Sequence, residues 1–177
     1  TNLCLAWSDI DLVLVNRNTG STYNPNVLRE LKKIMESGKW VKSISLIETT
    51  NIPVLKIVTQ DNLLNYYIDV SVQDSKHFGL KCVELVKLFL DTYETLEPLI
   101  IGLKNLLKCA ALNDPYKGGI SSYGLILLVV FYLQMLEDEG RVNPKDKNNV
   151  GQILLEFLFY YGARFEPTKT IIETYIP

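Results

Sequence analysis

Histidine is almost absent from this chain: His77 is the only one among 177 residues. A zinc site rich in imidazole, or a Ser–His catalytic pair, has little to build on. Cysteine is scarce too. Cys4, Cys82 and Cys109 are an odd number without metal-ligand spacing, which argues against a disulfide framework and for a reducing compartment. The longest apolar run, Gly124 to Leu133, is well short of the ~20 residues a membrane span needs, so no membrane partner is expected. No signal peptide is legible, since the N-terminus runs straight into strand-like sequence. Positive charge is not in excess either. With 18 Lys and Arg against 20 Asp and Glu, the net charge is −2, whereas a protein that grips nucleic acid unaided usually carries a basic surplus. What is present is an ordinary globular composition, 47% hydrophobic and 21% charged, in a chain long enough for one domain or two small lobes.

The two halves read differently. Up to about Val72, strands alternate with one helix; after Gly79 the chain reads almost wholly helical. The first helix is marked by Asn24 as a cap, Pro25 at the first helical position, an apolar face of Val27, Leu28, Leu31, Ile34 and Met35, and Gly38 as its end. Residues Trp40–Thr49, Pro53–Thr59 and Asn65–Val72 read as strands, rich in β-branched and aromatic residues. Four helices are expected over Gly79–Tyr93, Leu96–Ala111, Ser121–Leu136 and Val150–Tyr161, with breaks at Asn113-Asp114-Pro115, between Glu139 and Pro144, and at Gly162. The tail from Thr168 reads equally as a strand or an extended end.

The stretch LAWSDIDLVLV, Leu5 to Val15, is strand material that carries Asp9 and Asp11. Side chains alternate along a strand, so the two carboxylates share one face. Like charges that close repel unless a cation sits between them. A solvated edge strand with two surface acids is the plain alternative. The strand NYYIDVSV repeats the oddity, with Tyr67, Asp69 and Ser71 on one face and Ile68, Val70 and Val72 on the other. Three carboxylates on two strands suit hard cations such as Mg²⁺ or Mn²⁺, and a pair of such ions suits phosphoryl or nucleotidyl transfer. Removal of Asp69 is then expected to relieve repulsion in the metal-free protein.

Anion-binding features follow in the helical half. Lys104 and Lys108 are four apart and share a helix face, which is more commonly a solvated stripe. Gly118-Gly119 lead to Ser121-Ser122, and a helix N-terminus is a ready anion site, although serine there also simply caps. Tyr123 offers a flat surface to a base or to the core. Stacking supplies binding energy without choice of base.

In this order and at these spacings, TNLCLAWSDIDLVLV, IPVLKI, YYIDVSV, GLKCVELV, LIIGLKNLLK, GGISSYGLILLVVFYLQ and NNVGQILLEFLFYYGARF resemble the DNA polymerase β-like nucleotidyltransferases, and among them the nuclear RNA-surveillance poly(A) polymerases. The resemblance runs from about Leu3 to Phe165 and extends to the terminal uridylyltransferases. It implies an α+β fold: a mixed-sheet palm over residues 1–74, followed by an all-helical central domain over 75–177. It implies Asp9, Asp11 and Asp69 as the metal-binding catalytic acids and Ser8 as the serine of their motif. Gly79 matches the small residue that lets the sugar approach, with Cys82 one turn on near the ribose. Lys104 and Lys108 match triphosphate lysines, Ser122 a phosphate contact and Tyr123 the base-stacking tyrosine. Two departures stand out. A Gly-Ser pair that holds phosphates in the family should precede Thr1, so the palm reads as N-terminally incomplete, and Phe78 stands where the family often has asparagine.

The expectation is a template-independent enzyme that adds AMP from ATP to RNA 3′ ends, with Mg²⁺ or Mn²⁺ as cofactor and a nuclear or cytoplasmic location. A terminal uridylyltransferase and a catalytically inactive scaffold are the alternatives. The acidic charge implies that a basic RNA-binding subunit supplies affinity for RNA. The apolar face of Ile153, Leu154, Phe157, Leu158 and Tyr161 is expected to bury itself within its own domain.

Overall fold

The structure is a computed structural model, and it describes residues 1–15, 26–60, 64–73, 77–141, 143 and 146–176. The capping role read for Asn24 and Pro25 lies outside the described residues. The chain divides into two compact units, one of Ala6–Cys82 and one of Thr1–Leu5 with Val83–Pro177.

In the first unit, β1 (Ile10–Leu14), β2 (Val41–Ile47), β3 (Val54–Thr59) and β4 (Tyr67–Val72) form one sheet in the order β1-β4-β3-β2. β1 runs parallel to β4, while β4–β3 and β3–β2 are antiparallel, so the sheet is mixed. Helix α1 (Asn26–Met35) covers one face. Leu28 packs there with Leu55, Ile57 and Val70, and Leu31, Met35, Ile68 and Val72 complete this core. The period-two alternation of β3 and β4 accounts for the set: Leu55, Ile57, Ile68, Val70 and Val72 point to α1, which leaves Lys56, Asp69 and Ser71 on the other side. Ile34, read as part of the α1 apolar face, is instead exposed. It lies about 90° round the helix from the stripe that Leu28, Leu31 and Met35 define. Across the unit, Arg29 of α1 donates to Glu48 beyond β2 at 2.9 Å.

The second unit is built on α2 (Gly79–Thr92, from Val83 on), α3 (Leu96–Cys109), α4 (Ser122–Asp138) and α5 (Val150–Phe159). α4 is apolar nearly all round and forms the centre, with Leu125, Val129, Val130, Leu133 and Leu136 buried. Phe89, Tyr93, Leu96, Leu99, Ile100 and Leu103 close on it from α2, α3 and their junction, and Ile153 and Phe157 from α5. The expected break at Gly162 is displaced. The helical path continues as a π turn over Tyr160–Arg164, and the chain becomes extended only at Phe165. An aromatic cluster fixes that turn: Tyr161 lies 4.8 Å from Phe157 and 5.1 Å from Phe165, centroid to centroid. The tail is extended rather than a strand. Its Tyr175 is held by the buried Gln134 amide, which donates to the Tyr175 carbonyl at 2.7 Å and accepts from its N–H at 3.2 Å.

Candidate active site

The carboxylates come together through strand register. Asp11 of β1 stands directly opposite Asp69 of β4, and Lys56 of β3 stands opposite Asp69 on its other side. Residues paired across a ladder point to the same face, so Asp11, Asp69 and Lys56 form one row across three strands. Asp9, expected from its spacing to share the strand face of Asp11, lies outside β1. A turn at Ala6–Trp7 brings the chain in, the strand begins at Ile10, and Asp9 sits immediately before it with Ser8. It still lies close enough to act on Asp11.

The electrostatics of the row are uneven. Asp11 keeps one side open to solvent, but the protein around its carboxyl pushes it above the usual carboxylate range, and the negative charges of Asp69 and Asp9 add to that. Lys56 acts in the opposite sense. Its ammonium is bonded to the Asp69 carboxylate, which is 22% exposed against 45% for the lysine. Repulsion therefore falls on Asp11, while Asp69 has a partner. Sequence reasoning missed Lys56. The signal was available in IPVLKI: a lone cation alternating with buried Leu55 and Ile57 has to face the side that carries the acids.

Behind this row, Ser71 is nearly buried on the same face as Asp69, and His77 lies against it, with Ser71 Oγ and His77 Nε2 at 2.9 Å. Gly79 follows as the first residue of α2, and Cys82, a free thiol, stands one turn further on and half-buried.

The remaining residues picked from the sequence belong to the helical unit. Lys104 and Lys108 of α3 are not equivalent. Lys104 is half-buried, its Nζ donates to the Leu3 carbonyl at 2.8 Å, and burial pushes its ammonium below the usual lysine value, with nearby Cys4 working the other way. Lys108 is exposed in the last turn. At the start of α4 the two serines divide their work. Ser121 is the cap, its Oγ accepting from the Gly124 N–H at 3.0 Å, which leaves the exposed Ser122 and Tyr123 in the first turn. The unit also holds a cavity of about 350 Å³ lined by Tyr132, Glu139, Arg141, Phe159, Tyr160 and Arg164, none of them picked from the sequence.

Among the described residues, no three His, Cys, Asp or Glu side chains gather closely enough to hold a metal ion as they stand. The donor set nonetheless fits a hard divalent cation: the acids supply only oxygen, and a lysine already neutralises one of them.

A mixed sheet that sets acids side by side on its open face, joined to a helical unit, is the fold of a nucleotidyltransferase palm. The polymerase core of TRAMP, an RNA surveillance complex, superposes with a TM-score of 0.74 at 27% identity, over 93% of this chain and 50% of that one. Residues 1–91 match the family described as poly(A) RNA polymerase, mitochondrial-like, central palm domain, and the chain belongs to that family. The poly(A) RNA polymerase cid14 of Schizosaccharomyces pombe is 36% identical over 169 residues, which cover 93% of this chain and 24% of that protein. A Drosophila melanogaster relative described as an inactive non-canonical poly(A) RNA polymerase, Trf4-2, is 30% identical over 94% of this chain and 40% of its own. The chain thus spans about a quarter of the length of cid14.

Proposed function

We propose that this chain is the catalytic core of a polynucleotide adenylyltransferase, which adds AMP from ATP to RNA 3′ ends without a template and releases pyrophosphate. The observation that carries the reading is the register of β1 on β4, which sets Asp11 beside Asp69 with Asp9 within electrostatic reach. Membership of the poly(A) polymerase palm family supports it.

Asp9, Asp11 and Asp69 would hold Mg²⁺ or Mn²⁺, which when bound supplies charge neutralisation for the attacking and leaving oxygens. Asp69 favours removal of the proton from the RNA 3′-hydroxyl. Lys56 holds the charge of Asp69 in the metal-free protein and so limits the repulsion that an empty row of acids would suffer. Gly79 and Cys82 border the sugar, Ser8 and Ser122 meet phosphates, Lys104 and Lys108 meet the triphosphate, and Tyr123 stacks on the base. Stacking alone does not choose, so the preference for ATP over UTP is modest. In this reading residues 1–74 are the palm and 75–177 the central domain. The protein acts in the nucleus with a basic RNA-binding subunit, in keeping with the surveillance complex that its structural relative belongs to.

The test is extension of a labelled RNA primer by the full-length protein in Mg²⁺ and ATP. Asp69→Asn is expected to lower kcat/KM on the order of 10²–10³-fold, the scale of losing one group that stabilises the transition state. Mg²⁺ should also raise the Tm of the wild type and not that of the variant, because a ligand that binds only the folded state stabilises it. An Asp69→Asn protein as active as the wild type rules the reading out.

A further inference from the structure

The one histidine of the chain lies at the junction between the acid-bearing strand and the first turn of α2. Its Nδ1 accepts from the Gly79 backbone N–H at 3.3 Å. A backbone amide can only donate, so Nδ1 carries no proton and the neutral ring is protonated at Nε2. Nε2–H then donates to Ser71 Oγ at 2.9 Å, and the Ser71 hydroxyl donates onward to the Leu12 carbonyl of β1 at 3.4 Å. One imidazole thereby links β1, β4 and the N-terminus of α2. The ring also lies against the glycine itself: a Cβ placed on Gly79 would come within 2.6 Å of His77 Cε1, closer than such atoms approach. A side chain at this position would have to displace the His77 ring from its two hydrogen bonds.

We propose that His77 is a positioning residue for the nucleotide sugar. It holds the Gly79 turn at a fixed height over the face that carries Asp69, and thereby sets how near a ribose, with its 2′-hydroxyl, approaches α2. The inference rests on the nucleotidyltransferase reading, in which Gly79 and Cys82 border the sugar. Its chemistry is confined to two hydrogen bonds that separate variants imitate. Asparagine places an amide oxygen near the position of Nδ1 and restores the acceptor for Gly79. Glutamine reaches instead to the position of Nε2 and restores the donor for Ser71.

The experiment compares ATP with 2′-deoxyATP as substrates in primer extension by the full-length protein, and reads kcat and KM separately. His77→Ala is expected to lower the preference for the ribonucleotide about tenfold, the scale of one lost hydrogen bond, mainly by raising KM for ATP. His77→Asn should recover most of that preference and His77→Gln little of it. The double variant His77→Ala/Gly79→Ala should have a higher Tm than Gly79→Ala alone, because the clash is gone. An active wild type whose ribose preference is unchanged in His77→Ala, or is recovered by Gln and not by Asn, overturns the inference while the enzymatic reading stands. A wild type that extends no RNA overturns both. If His77→Ala fails to fold, the Asn and Gln pair alone decides.

Discussion

Asp11 and Asp69 face each other across two strands, yet only one of them is at ease. Asp69 has Lys56; Asp11 has partial burial and two negative neighbours. A carboxyl whose pKa is raised on folding binds its proton more tightly in the folded state. Its cost is absent below the ordinary value of 3.8 and grows as pH rises through the folded value, so stability falls with pH across that window. In metal-free protein, Asp11→Asn should therefore raise the Tm at about pH 7 and leave it nearly unchanged at about pH 3. Thermal melts at the two pH values check this, and a lower Tm at neutral pH contradicts it. Relief of repulsion was expected from removing Asp69, whose charge does bear on Asp11, but that removal also carries a cost. Taking away Asp69 would leave the Lys56 ammonium without the carboxylate it is bonded to.

Helix α3 begins at a cap that does not cap. Thr95 has helical angles, φ −80° and ψ −15°, and its side chain makes no bond to the first turn. It is fully buried, and its hydroxyl has no partner among the described residues. A buried hydroxyl without a partner is a cost, and valine has nearly the same shape. Thr95→Val should thus stabilise the protein by about 1 kcal/mol. Urea unfolding at constant m-value measures it, and a loss of stability would mean that the hydroxyl is satisfied in solution. The elements themselves were largely legible. Apolar periodicity and local chemistry mark helix starts, so α2, α3 and α4 begin within a residue of the expected Gly79, Leu96 and Ser121. What the sequence could not convey was pairing. Nothing in LAWSDIDLVLV tells that its neighbour is β4, that Asp11 meets Asp69, or that Asp9 falls outside the ladder, because register is decided by contacts between distant segments. For Lys56 the alternation in IPVLKI was legible, but not that Asp69 would stand opposite it. The π turn was hidden too, since Gly162 reads as a helix stop unless the aromatic packing around it is known.

Across the whole molecule, acids slightly outnumber bases, and among the described residues no helix is long and apolar enough to cross a membrane. Affinity for RNA depends on phosphates neutralised by Lys and Arg, each of which releases counterions. A chain with a net charge of −2 should hold RNA weakly and with a shallow dependence on salt. Addition of a basic RNA-binding subunit should tighten binding and steepen the slope of log K against log salt. Binding isotherms at several salt concentrations check this, and a steep slope for the protein alone would contradict it. The mixed sheet has one more consequence, which concerns time rather than geometry. β2 and β3 are neighbours along the chain and can pair as soon as both are made, but β1 pairs only with β4, more than fifty residues downstream. While the protein is being synthesised, the strand with the first acids waits unpaired until nearly the whole sheet has emerged, and its closure carries the largest loop entropy in the unit. The row of Asp11, Asp69 and Lys56 is therefore completed by the last strand of the sheet to be made, whatever the order in which the other strands pair.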